Sequence, residues 1–177
     1  MHFERVRTQT HPLYAQALDL YHLSFPPHER RSAASQIEIL HAEEYRFDLI
    51  MDAEKWVGLL LYWETERFIY VEHFCICPEL RGRGYGRRAL EWIGQKGKTV
   101  ILEIDPPVDT VSIRRKVFYE ACGYRENAFL HVHPPYHAAY KGHELVVMSY
   151  PGVLSHEEYE RFRKYLEEMV MSGAAVD

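Results

Sequence analysis

Between Phe74 and Leu90 an apolar, strand-like run stops at Pro78, three glycines alternate with large residues (Gly82, Gly84, Gly86), and a helical pattern starts at once. This junction constrains the fold more than any other stretch of the chain. Glycine lets a backbone turn tightly and approach a ligand closely. The first N–H groups of a helix have no partner inside it, and the helix dipole leaves partial positive charge there. A strand that feeds such a turn is therefore suited to hold phosphate. Arg81, Arg83, Arg87 and Arg88 crowd the same turn with guanidinium groups that match phosphate oxygens. The glycine spacing lacks the last glycine of a dinucleotide fingerprint, since Ala89 stands in its place, and no Lys-Ser/Thr pair closes a nucleoside-triphosphate loop.

The elements around the junction predict a mixed α/β domain. Phe3 to Arg7 alternates like a strand, and Leu13, Ala17, Leu20 and Tyr21 follow helical spacing until Pro26-Pro27. Ser32 or Ser35 is placed to cap a short second helix. Tyr45 to Met51, Trp56 to Trp63 and Arg67 to Cys77 read as strands joined by short polar turns, which predicts an antiparallel meander. A helix over Tyr85 to Gln95 precedes a buried strand, Thr99 to Ile104. Asp109 heads another helix, which Gly123 ends as its left-handed residue. Strands follow from Tyr124 and over Glu144 to Tyr150. The order predicts a mainly antiparallel central sheet flanked by helices. Residues 1–150 form the expected domain. Residues 151–177 add a helical extension over Ser155 to Met171, with Tyr159, Phe162, Leu166 and Met169 facing inward, and a loose tail from Ser172.

Composition excludes several classes. A net charge of −5 over 177 residues argues against a nucleic-acid binder, because phosphate affinity grows with neutralising lysines and arginines. No run reaches membrane-spanning length, and the first residues carry no apolar signal core. Three cysteines (Cys75, Cys77, Cys122) do not suggest a disulfide framework, which points to a reducing, cytoplasmic setting.

The glycine-arginine turn resembles the Arg/Gln-x-x-Gly-x-Gly/Ala signature of the GNAT superfamily of acetyl-CoA-dependent N-acetyltransferases, carried by Arg81, Gly84 and Gly86 behind Pro78-Glu79. A second segment, Ser112 to Tyr124, resembles the family's Asn-x-x-Ala-x-x-Leu-Tyr-Glu-Lys-x-Gly-Phe motif through Phe118, Tyr119, Glu120, Gly123 and Tyr124. Ser112 replaces the usual Asn and Arg115 the usual Ala. The resemblance implies the GNAT fold, acetyl-CoA as cosubstrate, and direct transfer to an amine in a ternary complex. It implies a pyrophosphate cradle of Arg81, Gly82, Arg83, Gly84, Tyr85, Gly86 and Arg87, with Ser112 near the cofactor. Pantetheine would lie beside the strand from Phe74 to Ile76, the N–H of Ile76 facing the thioester oxygen.

Tyr119 is the implied donor of a proton to the leaving thiolate. Removing a proton from the amine requires a base, and Glu72 stands where relatives place a glutamate acting through water. Strict alternation puts Glu72, Phe74 and Ile76 on one face and His73 on the other. Within so apolar a strand, the Glu72 carboxyl is expected to have a raised pKa. A strand bulge, common in the family here, would alter that facing.

The loops that wall the acceptor site in the family correspond to Phe25 to Arg31 and to the His-rich stretch around Tyr136, so His28, Glu29, Arg30, His73 and Tyr136 are the acceptor candidates. His131 and His133 share a face on a strand, but no nearby carboxylate or cysteine stands at ligand spacing, so no metal is expected. The amine acceptor is not readable, although an acidic chain is compatible with a cationic one. A homodimer is left open. The rival expectation is a non-catalytic acyl-CoA sensor or interaction module on the same fold.

Overall fold

The computed structural model describes residues 1–174. The sheet strands are β1 (His2–Val6), β2 (Tyr45–Asp52), β3 (Lys55–Glu64), β4 (Phe68–Ile76), β5 (Thr99–Ile104), β6 (Arg125–Glu126), β7 (His131–His133) and β8 (His143–Tyr150). Helices are α1 (Tyr14–Ser24), α2 (Ala33–Ile39), α3 (Tyr85–Gly94), α4 (Thr110–Ala121) and α5 (His156–Tyr165). Strands run in the order β1-β2-β3-β4-β5-β8-β6, and β7 also pairs with β8. Every pairing is antiparallel except β4 with β5, as the expected mixed, mainly antiparallel sheet requires.

The predicted caps form. Ser32 Oγ accepts from the Ser35 N–H (3.2 Å) at the head of α2, and Asp109 caps α4. Gly123 ends α4 with φ 90°. Strands β2 and β3 are buried almost without interruption because helices cover both faces of the sheet, not one. Phe3 stacks on Trp92 of α3 at 3.7 Å between ring centroids, and Tyr14 of α1 packs on Phe47.

The C-terminal helix is built into this core and does not stand apart as an extension. Phe162 is wholly buried among the rings of Phe68, Tyr70 and His131. A side chain of that size contributes about 1.5–3 kcal/mol by leaving water. Tyr159, Phe162 and Leu166 face inward as expected, but Met169 does not: it is 51% exposed, and Val170 is buried instead. A π-helical turn over Leu166–Val170, in which the Met171 N–H donates to the Leu166 carbonyl at 2.9 Å, adds one residue and rotates the pattern. Of the expected loose tail, Ala174 is buried against the fold, and residues 175–177 lie outside the described residues. No helix among the described residues is long and apolar enough to cross a membrane.

Candidate active site

The site begins where two parallel strands part. β4 and β5 pair from Phe68↔Thr99 to Val71↔Leu102 and no further, although β4 continues to Ile76 and β5 to Ile104. From Glu72 onward β4 keeps its ladder to β3 on one side only, ending at Ile76↔Gly58. The opposite edge of β4 therefore has no strand partner there and faces a cleft of about 1190 Å³. This cleft runs from the glycine turn, past Phe74, Ile76 and Tyr119, to Glu29, Tyr136 and His143.

At one end lies the predicted anion cradle. Gly82 and Gly84 hold φ of 75° and 81°, and a Cβ built on either would meet nothing within 4 Å, so backbone strain and not crowding favours glycine at both positions. Gly86 has another reason: its Cβ would come 3.1 Å from the Phe118 ring, so its smallness lets α3 pack on α4. Arg81, Gly82, Gly84, Tyr85, Gly86 and Arg87 all line the cleft. The Arg81 Nε donates to the Ile76 carbonyl (3.2 Å), and Arg87 donates to the carbonyl of Ala121 (3.0 Å) at the end of α4. The Tyr85 hydroxyl is held by Asp52 at 3.0 Å.

Two cradle expectations change. Arg83, exposed between two left-handed glycines, is not among the lining residues. Ser112 is occupied by its own helix: its Oγ and N–H bond with Asp109 in a capping box, and the side chain is buried outside the cleft lining. Arg114 and Arg115, from the next turn of α4, face the cleft instead.

Tyr119 is in the cleft wall and 8% exposed. Burial pushes its hydroxyl up to about 12 against the pull of Arg115, so at neutral pH it keeps a proton to give. Burial likewise raises the Cys75 thiol to about 11, which leaves it a poor nucleophile.

Glu72 reverses its expectation. Between Leu61↔His73 and Tyr62↔Val71 it is the extra residue of a bulge, so strict alternation fails and both Glu72 and His73 line the cleft. Its side chain is fully buried. Oε1 accepts from Arg31 Nε (3.0 Å) and the Tyr136 hydroxyl (3.0 Å) and forms an ion pair with Arg31 Nη2 (3.0 Å), while Oε2 accepts from Trp63 Nε1 (2.7 Å). Burial alone would raise its pKa, but the Arg31 charge, aided by His73 and by the bonds from Trp63 and Tyr136, prevails and lowers it. Arg31 is also buried, and the same Nη2 donates to the carbonyl of Val170 while Nη1 reaches Ser35 Oγ at 3.5 Å.

The acceptor candidates divide. Glu29, His73 and Tyr136 line the cleft, whereas His28 and Arg30 do not. His73 is wedged between Tyr21 and Phe25, and its Nε2 donates to the Glu29 carbonyl at 2.8 Å; burial lowers its pKa against the pull of Glu72. Burial and nearby Asp105 raise the pKa of Glu29.

The residues nominated from sequence did not include Arg31, Trp63 or Glu103. A lone charge in the apolar strand Thr99 to Ile104 was the available signal for Glu103. Arg31 neighbours the nominated Arg30, and only the packing of α2 reveals which arginine turns inward. Part of the His-rich stretch before Tyr136 is ordered as β7, in which His131 and His133 are buried. Among the described residues no group of three or more His, Cys, Asp or Glu side chains is arranged to hold a metal ion.

Known proteins share this arrangement. The model of an acetyltransferase (GNAT) domain matches residues 43–126. A solved structure assigned to the GNAT family of acetyltransferases, from Bacteroides thetaiotaomicron, is 30% identical over 97% of this chain and 98% of its own, with a TM-score of 0.89. YjbC of Bacillus subtilis (strain 168), assigned as an acetyltransferase, is 29% identical over 98 residues, which span 54% of this chain and 50% of that relative. An aminoglycoside 6'-N-acetyltransferase solved with coenzyme A shares the fold, with 17% identity, a TM-score of 0.59, and coverage of 84% of this chain and 96% of its own. The fold, the forked strands and the glycine cradle define an acyltransferase of the GNAT type, and the chain belongs to the GNAT acetyltransferase family.

Proposed function

We propose that the chain moves an acetyl group from acetyl-CoA directly to a primary amine of a small molecule or peptide, with both reactants bound together. The observation that carries this reading is the free edge of β4 from Glu72 to Ile76, which leads without a break from the arginine-glycine cradle to Tyr119. Pantetheine lying along that edge would satisfy its backbone groups as an added strand would, with the pyrophosphate on the first N–H groups of α3. The thioester then rests near Phe74 and Ile76, within the reach of Tyr119.

Chemistry follows from what the walls offer. The amine nitrogen attacks the thioester carbon, the C–S bond breaks, and the Tyr119 hydroxyl gives its proton to the departing sulfur. The raised thiol pKa of Cys75 favours this direct course over an acyl-cysteine intermediate. Glu29, Asp105 and Glu103 line the far end beside Tyr136 and His143, which favours a cationic acceptor held against aromatic and acidic groups.

Calorimetric titration with acetyl-CoA, followed by thiol release against a panel of monoamines, diamines, arylalkylamines, amino acids and aminoglycosides, tests the reading. Saturable binding with thiol release from at least one amine is expected. Tight binding with no release from any amine would establish the rival, a non-catalytic acyl-CoA sensor.

A further inference from the structure

Glu72 is poorly suited to take a proton: it is anionic, its pKa is lowered, and both oxygens already accept bonds. At the matching step on the other branch of the fork stands Glu103, one residue past Leu102 as Glu72 is one past Val71. Its carboxylate is buried and held by the Tyr70 hydroxyl (2.5 Å to Oε2) and by His131 Nε2 on Oε1. The third neighbour, His133, has no such bond.

His133 is 3% exposed at its side chain and lines the cleft. Its Nδ1 lies 2.6 Å from the Pro134 carbonyl, which can only accept, so Nδ1 carries the hydrogen and the neutral ring has a lone pair on Nε2. That Nε2 is buried with no hydrogen-bond partner and lies 3.8 Å from Glu103 Oε2. A buried polar atom left unpaired is costly, and its presence calls for a role. The ring is stacked on Tyr136, whose hydroxyl bonds Glu72, so it stands at the acceptor end of the fork.

Resting on the acetyl-transfer reading above, we propose that His133 is the general base for the amine, with Glu103 as the counter-charge to the imidazolium. The nitrogen lone pair forms the N–C bond, an N–H proton passes to His133 Nε2, and the electron pair of the broken C–S bond leaves on sulfur with the Tyr119 proton. Amide and free thiol result. Solvent then removes the proton from His133 and restores the one on Tyr119. The groups facing His133 are Glu103 on β5, Glu29 before α2, His73 on β4, His143 on β8 and Tyr136 beside it.

Nitrogen-15 NMR of the histidine rings in the full chain, with acetyl-CoA bound, is expected to show His133 as the Nδ1–H tautomer when neutral. A hydrogen on Nε2 would overturn the assignment. For the best amine of the panel, His133→Ala is expected to lower kcat/KM about 100-fold, in the range of general-base catalysis. It should abolish the acid limb of the pH profile, respond to added imidazole, and leave acetyl-CoA affinity unchanged. Glu103→Gln should act in the same direction by about 10-fold, as expected when a buried ring loses an opposite charge. An active wild-type protein whose His133→Ala variant keeps both rate and acid limb would overturn the base assignment alone. Absence of thiol release from wild type with every amine would overturn the transfer reading, and this assignment with it.

Discussion

Arg31 and Glu72 show how strongly a single buried pair can shape a site. Both side chains are withdrawn from water, so neither charge is tolerable without the other. Arg31→Met is expected to destabilise the fold by about 3–5 kcal/mol, the usual cost of stranding a buried charge. The double variant Arg31→Met, Glu72→Gln should cost less than Arg31→Met alone, as denaturant midpoints would show. The same pair sets an acid limit. Glu72 and Glu103 are pulled below the ordinary carboxylate range against the effect of burial, by Arg31 and by His133 with His131 respectively. The stability they contribute is therefore complete above an unfolded-state pKa of about 4.3. It is lost as pH falls through their lower folded values, because the unfolded chain then binds more protons than the native one. Unfolding midpoints measured from pH 6 to 2 should fall steeply in the wild type and less steeply in Glu72→Gln.

The proposed cradle is an element-scale device, made by the way β4 turns into α3. Gly84 is the N-cap residue of α3 and holds φ 81°, a conformation that strains a β-branched residue. Gly84→Val is expected to cost about 1–3 kcal/mol in stability and to abolish acetyl-CoA binding by filling the space over the helix end. Gly97 is a control, because it holds φ 72° with nothing within 4 Å of a built Cβ yet does not line the cleft. Gly97→Val should show a similar stability loss with unchanged affinity by calorimetry. Equal affinity in both variants would argue against the cradle. The glycine spacing made this turn legible from sequence, whereas the π turn after α5 left no mark in the apolar pattern. One inserted residue exchanged Met169 for Val170, two side chains that pattern analysis treats alike.

Taken as a molecule, the fold works by opening a sheet in its middle. The parting of β4 and β5 leaves backbone groups exposed inside an otherwise continuous sheet, a cost that a strand-like ligand would offset. Hydrogen exchange should therefore be faster in the apo protein at the cleft-facing amides among residues 73–76 than in the shared ladder, 69–71. Acetyl-CoA should protect the first group and the amides of 82–87, while leaving β1 and β2 unchanged. Uniform protection across the sheet would instead indicate a global stabilisation without a seat on β4.

Local chemistry was determined by the sequence itself: the strand, the left-handed glycines, the helix start and the caps at Ser32 and Asp109 all depend on neighbours a few residues apart. These features sufficed for the family resemblance and for the glycine turn that lines one end of the cleft. What the tertiary structure alone decided was the company each titratable group keeps. Glu72 reads in sequence as an isolated carboxylate in an apolar strand, yet Arg31 lies 41 residues before it and Tyr136 lies 64 after it, and together they hold it charged. Glu103 and His133 meet only because β7 folds back along β8 beside the fork. Charge states depend on distance through space and on burial, and neither is written in the spacing of residues along the chain.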